Sequence, residues 1–271
     1  MEPESRPQNP FAQPVSEFMS KPVVTIHPDT SLQEAERRLE DASFSCLAVT
    51  DVDGHLCGVL SRTDLLRVGR LRASMADDSH LLRLPHQTVR ARMTKDVVTA
   101  DPETPLQAVA AEMVRAHIHR IFIVQNGRPV GVLSTRDLMK AVVQARIADP
   151  IKRWMSSPVM TISATATIGE ATDLLQEARV RGLVVEDQEW PVGLFTQTEV
   201  LLCGAEDAGT KVEEAMSCAL LCLPLNMPLF RATALALETR ARRILATANR
   251  EIHGILSGLD IARVIAAFVT P

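Results

Sequence analysis

GVLSTRD, residues 131–137, decides how this chain is read, because it returns as GVLSRTD at 58–64, GLFTQTE at 193–199 and GILSGLD at 254–260. The motif glycines stand 73, 62 and 61 residues apart. Recurrence at a nearly constant interval marks a duplicated structural unit, so the chain is read as repeats before any site is argued. Four small copies also leave little of the 271 residues for a separate catalytic domain.

Working outward from each motif gives one order of elements four times. The first copy opens with a helical turn (VSEFMS, 15–20), a short strand (VVTI, 23–26) and an amphipathic helix (31–42) with Leu32, Ala35 and Leu39 on one face. Strands at 46–51 and 55–61 follow, joined at Asp53-Gly54, a tight-turn signal repeated in the second copy as Asn126-Gly127. A closing helix starts just after Ser61. The spacing therefore predicts an α/β (α+β) fold of strand–helix–strand–strand–helix units. The expected boundaries are a disordered tail 1–14, copies at 15–70, 89–146, 148–204 and 210–269, and a linker 71–88. So small a unit exposes an apolar sheet face and must pair with a neighbour. The natural grouping is two pairs, 15–146 and 148–269.

Composition narrows the function. Aromatics are 3% with no Tyr, against a reader of single strands through stacked rings, and the net charge of -4 gives no reason to expect nucleic acid. The five cysteines lack C-x-x-C spacing or histidine partners for zinc and read as reduced, buried thiols. The first residues, MEPESRPQNPFAQP, do not resemble a signal peptide, and no apolar run is long enough to span a bilayer. A cytoplasmic chain is expected.

Each motif places a hydroxyl residue before a helix and an acid three residues later. That is a capping-box pattern, which favours the longer Glu or Gln because the side chain must reach back to the N-cap amide. Three copies carry Asp instead (Asp64, Asp137, Asp260), and Glu199 alone has the favoured reach. A carboxylate also offers two acceptor oxygens to a cis-diol, and a helix start offers amides to an anion. Capping and ligand binding both fit.

The second copy, with MTKDVVT (93–99), IHRIFIV (118–124) and GVLSTRD in order, resembles the cystathionine-β-synthase (CBS) domain. FMSKPVVTI (18–26) and WMSSPVMTI (154–162) carry the likeness into the first and third copies, while LLCLPL (220–225) makes the fourth weaker. Four copies would make two tandem pairs (Bateman modules), similar to the γ subunits of AMP-activated protein kinase. The resemblance implies adenosine nucleotides or other adenosyl ligands bound in clefts between paired repeats. It implies that Asp64, Asp137 and Asp260 grip ribose hydroxyls, and that Ser61, Thr63, Ser134, Thr135, Thr196 and Ser257 help hold phosphate. His119 and Arg120 match a phosphate-contacting element, with Arg181, Arg242 and Arg243 at the same place in other copies. Thr25, Thr99 and Thr161 would lie near adenine or ribose, with Leu223 replacing that hydroxyl in the fourth copy. The second site would be the best equipped and the third the poorest.

No nucleophile elbow, P-loop, H-E-x-x-H or dinucleotide fingerprint is present, so an enzyme is not expected. Two readings remain. One is a regulatory sensor of adenine nucleotides acting on a protein partner of unknown identity, as a monomer or homodimer. The other is a ligand-independent scaffold.

Overall fold

The structure, a computed structural model, describes residues 9–41, 45–68, 70–72, 81–178, 180, 182–203, 208–249 and 251–269. The four repeats form as the periodicity predicts. Repeat 1 comprises β1 (Thr25–Ile26), α1 (Leu32–Asp41), β2 (Cys46–Thr50), β3 (Leu56–Ser61) and α2 (Arg62–Val68). A two-stranded hairpin, β4 (Arg70–Arg72) with β5 (Leu81–Arg83), then occupies the stretch read as a linker. Repeat 2 comprises β6 (Thr99–Ala100), α3 (Leu106–Arg115), β7 (Arg120–Gln125), β8 (Arg128–Ser134) and α4 (Thr135–Gln144). Repeat 3 comprises β9 (Thr161–Ser163), α5 (Ile168–Glu177), β10 (Gly182–Asp187), β11 (Trp190–Thr196) and α6 (Gln197–Cys203). After the short α7 (Val212–Ala215), repeat 4 comprises β12 (Cys222–Pro224), α8 (Leu229–Glu238), β13 (Arg243–Ala248), β14 (Glu251–Ser257) and α9 (Gly258–Ala266).

Each repeat builds one three-stranded sheet around its middle strand, which pairs parallel with the short first strand and antiparallel with the third. The middle strands are buried because they are continuous apolar runs, such as Ile121, Phe122 and Ile123. A tight turn closes the hairpin of repeat 2, with Asn126 and Gly127 at φ 51° and 77°. A bulge recurs at the same place in the hairpin of each repeat, just before the motif glycine.

The helical turns that lead into each repeat fold onto the other repeat of their tandem pair. Val15, placed in the first copy by sequence order, donates its amide to the Thr104 carbonyl (2.8 Å), and Ser20 bridges to Val132 in repeat 2. Val89 bonds Thr30 (2.9 Å) and Thr94 bridges to Val59, both in repeat 1. The same exchange joins Ser156 to Ile255 and Ser217 to Leu194. Each exchange seats a methionine on a motif glycine: Met19 on Gly131, Met93 on Gly58, Met155 on Gly254 and Met216 on Gly193. A Cβ at Gly58 would lie 2.7 Å from the Met93 sulfur, so a side chain there would have to displace the methionine.

Packing divides the chain into two compact units. One takes the described residues of Met1–Val23, Val98–Pro158 and Leu221–Pro271, and the other takes Val24–Val97 and Val159–Leu220. The first unit holds repeats 2 and 4 around a single core, in which α3 and α4 meet α8 and α9. Residues 9–14 belong to it, which corrects the expectation of a disordered tail to residue 14. Phe11 is fully buried and meets the Phe268 ring edge-on at 5.0 Å. Gln107 donates to the carbonyls of Ala266 (3.1 Å) and Phe268 (2.9 Å), and Arg136 to that of Leu237 (2.9 Å), so repeat 2 caps the ends of both helices of repeat 4. The second unit holds repeats 1 and 3. Its buried apolar residues form two separate clusters, one per repeat, and α2 meets α6.

Candidate functional site

The four acids close capping boxes, the aspartates included. Ser134 donates its amide (2.9 Å) and its hydroxyl (2.6 Å) to Oδ2 of Asp137. Ser61 makes the same pair to Asp64 (2.9 and 2.6 Å), and Ser257 to Asp260 (2.5 and 2.7 Å). Thr196 donates its amide to Glu199 Oε2 at 2.8 Å, with its hydroxyl also bonded there. The shorter Asp therefore caps as well, although a capping box favours Glu or Gln. The N-cap residue stays extended (Ser134 φ -119°, ψ 166°), and both of its donors converge on one oxygen of the acid. Capping uses Oδ2 and leaves Oδ1 for something else, so the two readings of the motif do not exclude each other.

Within the first unit, Oδ1 is engaged as fully as Oδ2. Asp137 Oδ1 accepts from the Ser20 hydroxyl (2.9 Å) and Lys140 Nζ (3.0 Å). Asp260 Oδ1 accepts from the Ser156 hydroxyl (3.1 Å) and from Arg263 Nη2. Both acids are 4% exposed, and they are two of the three polar or charged residues buried among the described ones. In the second unit Asp64 Oδ1 has a looser neighbour, Arg67 Nη1 at 3.8 Å. Sequence reasoning missed Ser20, Ser156, Lys140 and Arg263. Their signals were present: a hydroxyl after each lead-in methionine, and a cation three residues beyond each aspartate.

Strand register brings the basic side chains to these helix starts. Arg120 lies directly opposite Ser134 and Arg243 opposite Ser257, so each arginine shares a sheet face with its N-cap serine. The Thr135 amide bonds the His119 carbonyl at 3.1 Å, which holds His119 at the same corner. Arg242 is exposed beside Arg243. Arg181 lies outside the described residues. In the second unit Cys46 faces Ser61 and Gly182 faces Thr196, so neither described position carries a cation. Thr63 is half-buried on the first turn of α2.

Register also corrects the threonine series. Thr25, Thr99 and Thr161 pair with Ala48, Phe122 and Val184, each two residues into its middle strand. In repeat 4 that place belongs to Cys222, opposite Leu245, and Leu223 lies one residue further in. The series thus ends in a thiol, whose pKa burial pushes up.

The first turns of α4 and α9 touch. A Cβ on Gly258 would fall 2.6 Å from Cβ of Thr135, so glycine is what lets two helix starts, each favourable to an anion, approach. Next to this contact is a cavity of about 280 Å³ lined by Val114, His117, Ser156, Ser257, Leu259, Asp260 and Arg263. It borders the acid of repeat 4 rather than Asp137, which the sequence ranked first. Its walls combine a buried carboxylate, two hydroxyls, a guanidinium, an imidazole and two apolar side chains. That set can take a ligand with a diol, an anion and an apolar face.

One other cluster has ligand atoms close together. Asp51, Asp53 and His55, in the β2–β3 turn, have theirs within 4.8 Å of one another. Asp51 is already engaged, accepting from the amides of His55 (2.8 Å) and Asp53 (3.0 Å). The His55 amide is the main reason its carboxyl sits below the usual range, and the arrangement is that of a turn. None of the described helices is long and apolar enough to cross a membrane.

The CBS domain family matches residues 15–70, 89–144 and 151–205. The chain is 28% identical over 276 residues to the uncharacterized protein MJ1404 of Methanocaldococcus jannaschii, covering 94% of this chain and 62% of that protein. It is 26% identical over 278 residues to the CBS domain-containing protein CBSCBSPB2 of Arabidopsis thaliana, covering 98% of this chain and 45% of the relative. The chain therefore spans about six-tenths or less of these relatives. The fold matches the crystal structure of protein MJ1225 of M. jannaschii, with a TM-score of 0.75 at 16% identity, over 93% of this chain and 100% of that one.

Proposed function

The chain belongs to the CBS domain family, and from that premise we propose that it is a non-catalytic regulatory protein. It binds adenosine nucleotides (AMP, ADP or ATP) in clefts between paired repeats and passes the ligand state to a partner protein. The supporting observation is the group at the start of α9. There a buried carboxylate, anchored through Oδ2, lines a cavity whose walls also hold hydroxyls and a guanidinium. A ribose diol suits Oδ1, and a phosphate suits the helix start and the nearby Arg243 and Arg263. Asp137 and Asp64 carry the same reading in repeats 2 and 1. The five cysteines form no disulfide, in keeping with action in the cytoplasm.

Binding transmits a signal only if the ligand prefers one arrangement of the repeats over another. Saturating AMP, ADP or ATP should raise the melting temperature. A ligand at about 100 times its dissociation constant adds about 2.7 kcal/mol. Asp260→Ala should remove part of that gain, beyond the shift it causes in the ligand-free protein. No shift with any of the three nucleotides, and no heat on titration, would refute the reading.

One observation favours a scaffold role for repeat 2. The cavity is lined by Asp260, Ser257 and Arg263 of repeat 4, and neither Asp137 nor Lys140 lines it. A scaffold role for repeat 2 predicts nucleotide titrations that coincide in wild type and in Asp137→Ala.

A further inference from the structure

We propose that Arg263 selects the ligand of repeat 4 by charge: it is the group a nucleotide lifts off Asp260, and the ligand's phosphate is what it moves to. This rests on the nucleotide reading above and adds the residue that enforces it. The site takes phosphorylated nucleosides in preference to neutral or sulfonium-bearing adenosyl compounds.

The argument starts from the acceptor count. A carboxylate has about four lone-pair sites, and Asp260 fills them with the Ser257 amide, the Ser257 hydroxyl, the Ser156 hydroxyl and Arg263. An incoming diol must therefore displace a donor. The Ser257 donors belong to the cap of α9. Ser156 is held by paired backbone bonds with Ile255, at 2.8 and 3.0 Å. Arg263 is different. Its Nη2 also reaches the Ser156 hydroxyl oxygen (3.1 Å) and the Trp154 carbonyl (3.5 Å), but its side chain is 46% exposed, rides on a flexible stem and lines the cavity. It is the donor most readily moved.

Moving it has a consequence for specificity. Separating a guanidinium from a buried carboxylate is costly unless both find new partners. A nucleoside monophosphate supplies both at once, with the diol donating to Oδ1 and the phosphate accepting from the guanidinium. Adenosine supplies only the diol. A sulfonium compound supplies the diol but brings a second cation beside Arg263, which lines the same cavity.

The arrangement recurs where the acid is aspartate. Lys140 sits 3.0 Å from Asp137 Oδ1 and Arg67 3.8 Å from Asp64 Oδ1, whereas Leu202 occupies that place after Glu199. An ordinary pair three residues apart on a helix stabilises only the helix. It predicts no change in ligand preference when the cation is removed.

Calorimetric titration of the full chain with AMP, adenosine and S-adenosylmethionine separates the two, taking the component of binding that Asp260→Ala lacks. Wild type should bind AMP about tenfold or more tighter than adenosine, with S-adenosylmethionine weakest. Arg263→Gln should bring the AMP-to-adenosine ratio close to one, through weaker AMP and unchanged or tighter adenosine. Arg263→Lys should keep the preference. Because the readout is a ratio on one protein, a general loss of stability moves both affinities alike. A wild-type ratio in Arg263→Gln, or S-adenosylmethionine as the favoured wild-type ligand, overturns the inference and leaves adenosyl binding standing. Wild type that binds none of the three overturns both.

Discussion

The aspartate of each motif does two jobs with two oxygens. At Asp137 and Asp260, Oδ2 satisfies the N-cap serine while Oδ1 collects a lead-in serine and a cation from the same helix. A glutamate could cap as well, as Glu199 does, but it sets the second oxygen at a different reach. Single residues also set how closely the helices approach. Gly258 lies against Thr135 with no room for a side chain. Gly258→Ala should destabilise the protein by about 1–3 kcal/mol in urea denaturation, as overpacking does. Combining it with Thr135→Gly should recover much of that loss, since the two residues are in direct contact. Additive effects would show that the overlap relaxes elsewhere.

At the scale of elements, α5 carries a complete capping box. Thr167 accepts the Glu170 amide (3.2 Å), and Glu170 accepts the Thr167 amide (2.8 Å) and hydroxyl (2.9 Å). The Thr167 amide is the main cause holding the Glu170 carboxyl below its ordinary value of 4.5. A carboxyl depressed in the folded state contributes stability above its unfolded value and loses it as pH falls through the folded one. Melts from pH 7 to pH 3 should show wild type losing more on acidification than Glu170→Gln, which has no proton to take up. Thr167→Ala should cost about 1 kcal/mol at pH 7, the usual loss for an N-cap. Parallel pH curves for wild type and Glu170→Gln would mean the cap does not couple to folding.

At the scale of the molecule, repeats 2 and 4 share one core, whereas repeats 1 and 3 keep separate ones. Helix composition explains part of this. The face of α9 offers Ile261, Ala262, Val264 and Ile265, all buried, and α4 offers Leu138, Ala141 and Val142. The helices α2 and α6 have seven residues each and less apolar surface to share. Phe11 extends the shared core from far away in sequence. Phe11→Ala should destabilise its unit by about 3–5 kcal/mol. Hydrogen exchange should accelerate across 98–158 and 221–269 more than across 24–68. Equal acceleration in both would mean the chain unfolds as one cooperative block.

Repeat number, element order and the acid–hydroxyl motif were legible in the sequence because each depends on neighbours within a dozen residues. Hydrophobic period, turn residues and caps are local physics. What packs on what was not legible. The four lead-in segments each end in methionine and a hydroxyl, and the four motif glycines make alike notches, so nothing local says which notch receives which methionine. The partners of Asp260 come from Ser156, 104 residues away, and the wall of its cavity from Val114 and His117 on another repeat. Only the tertiary structure decided those contacts, because burying the helix faces of repeats 2 and 4 together fixes them across distances that no sequence window spans.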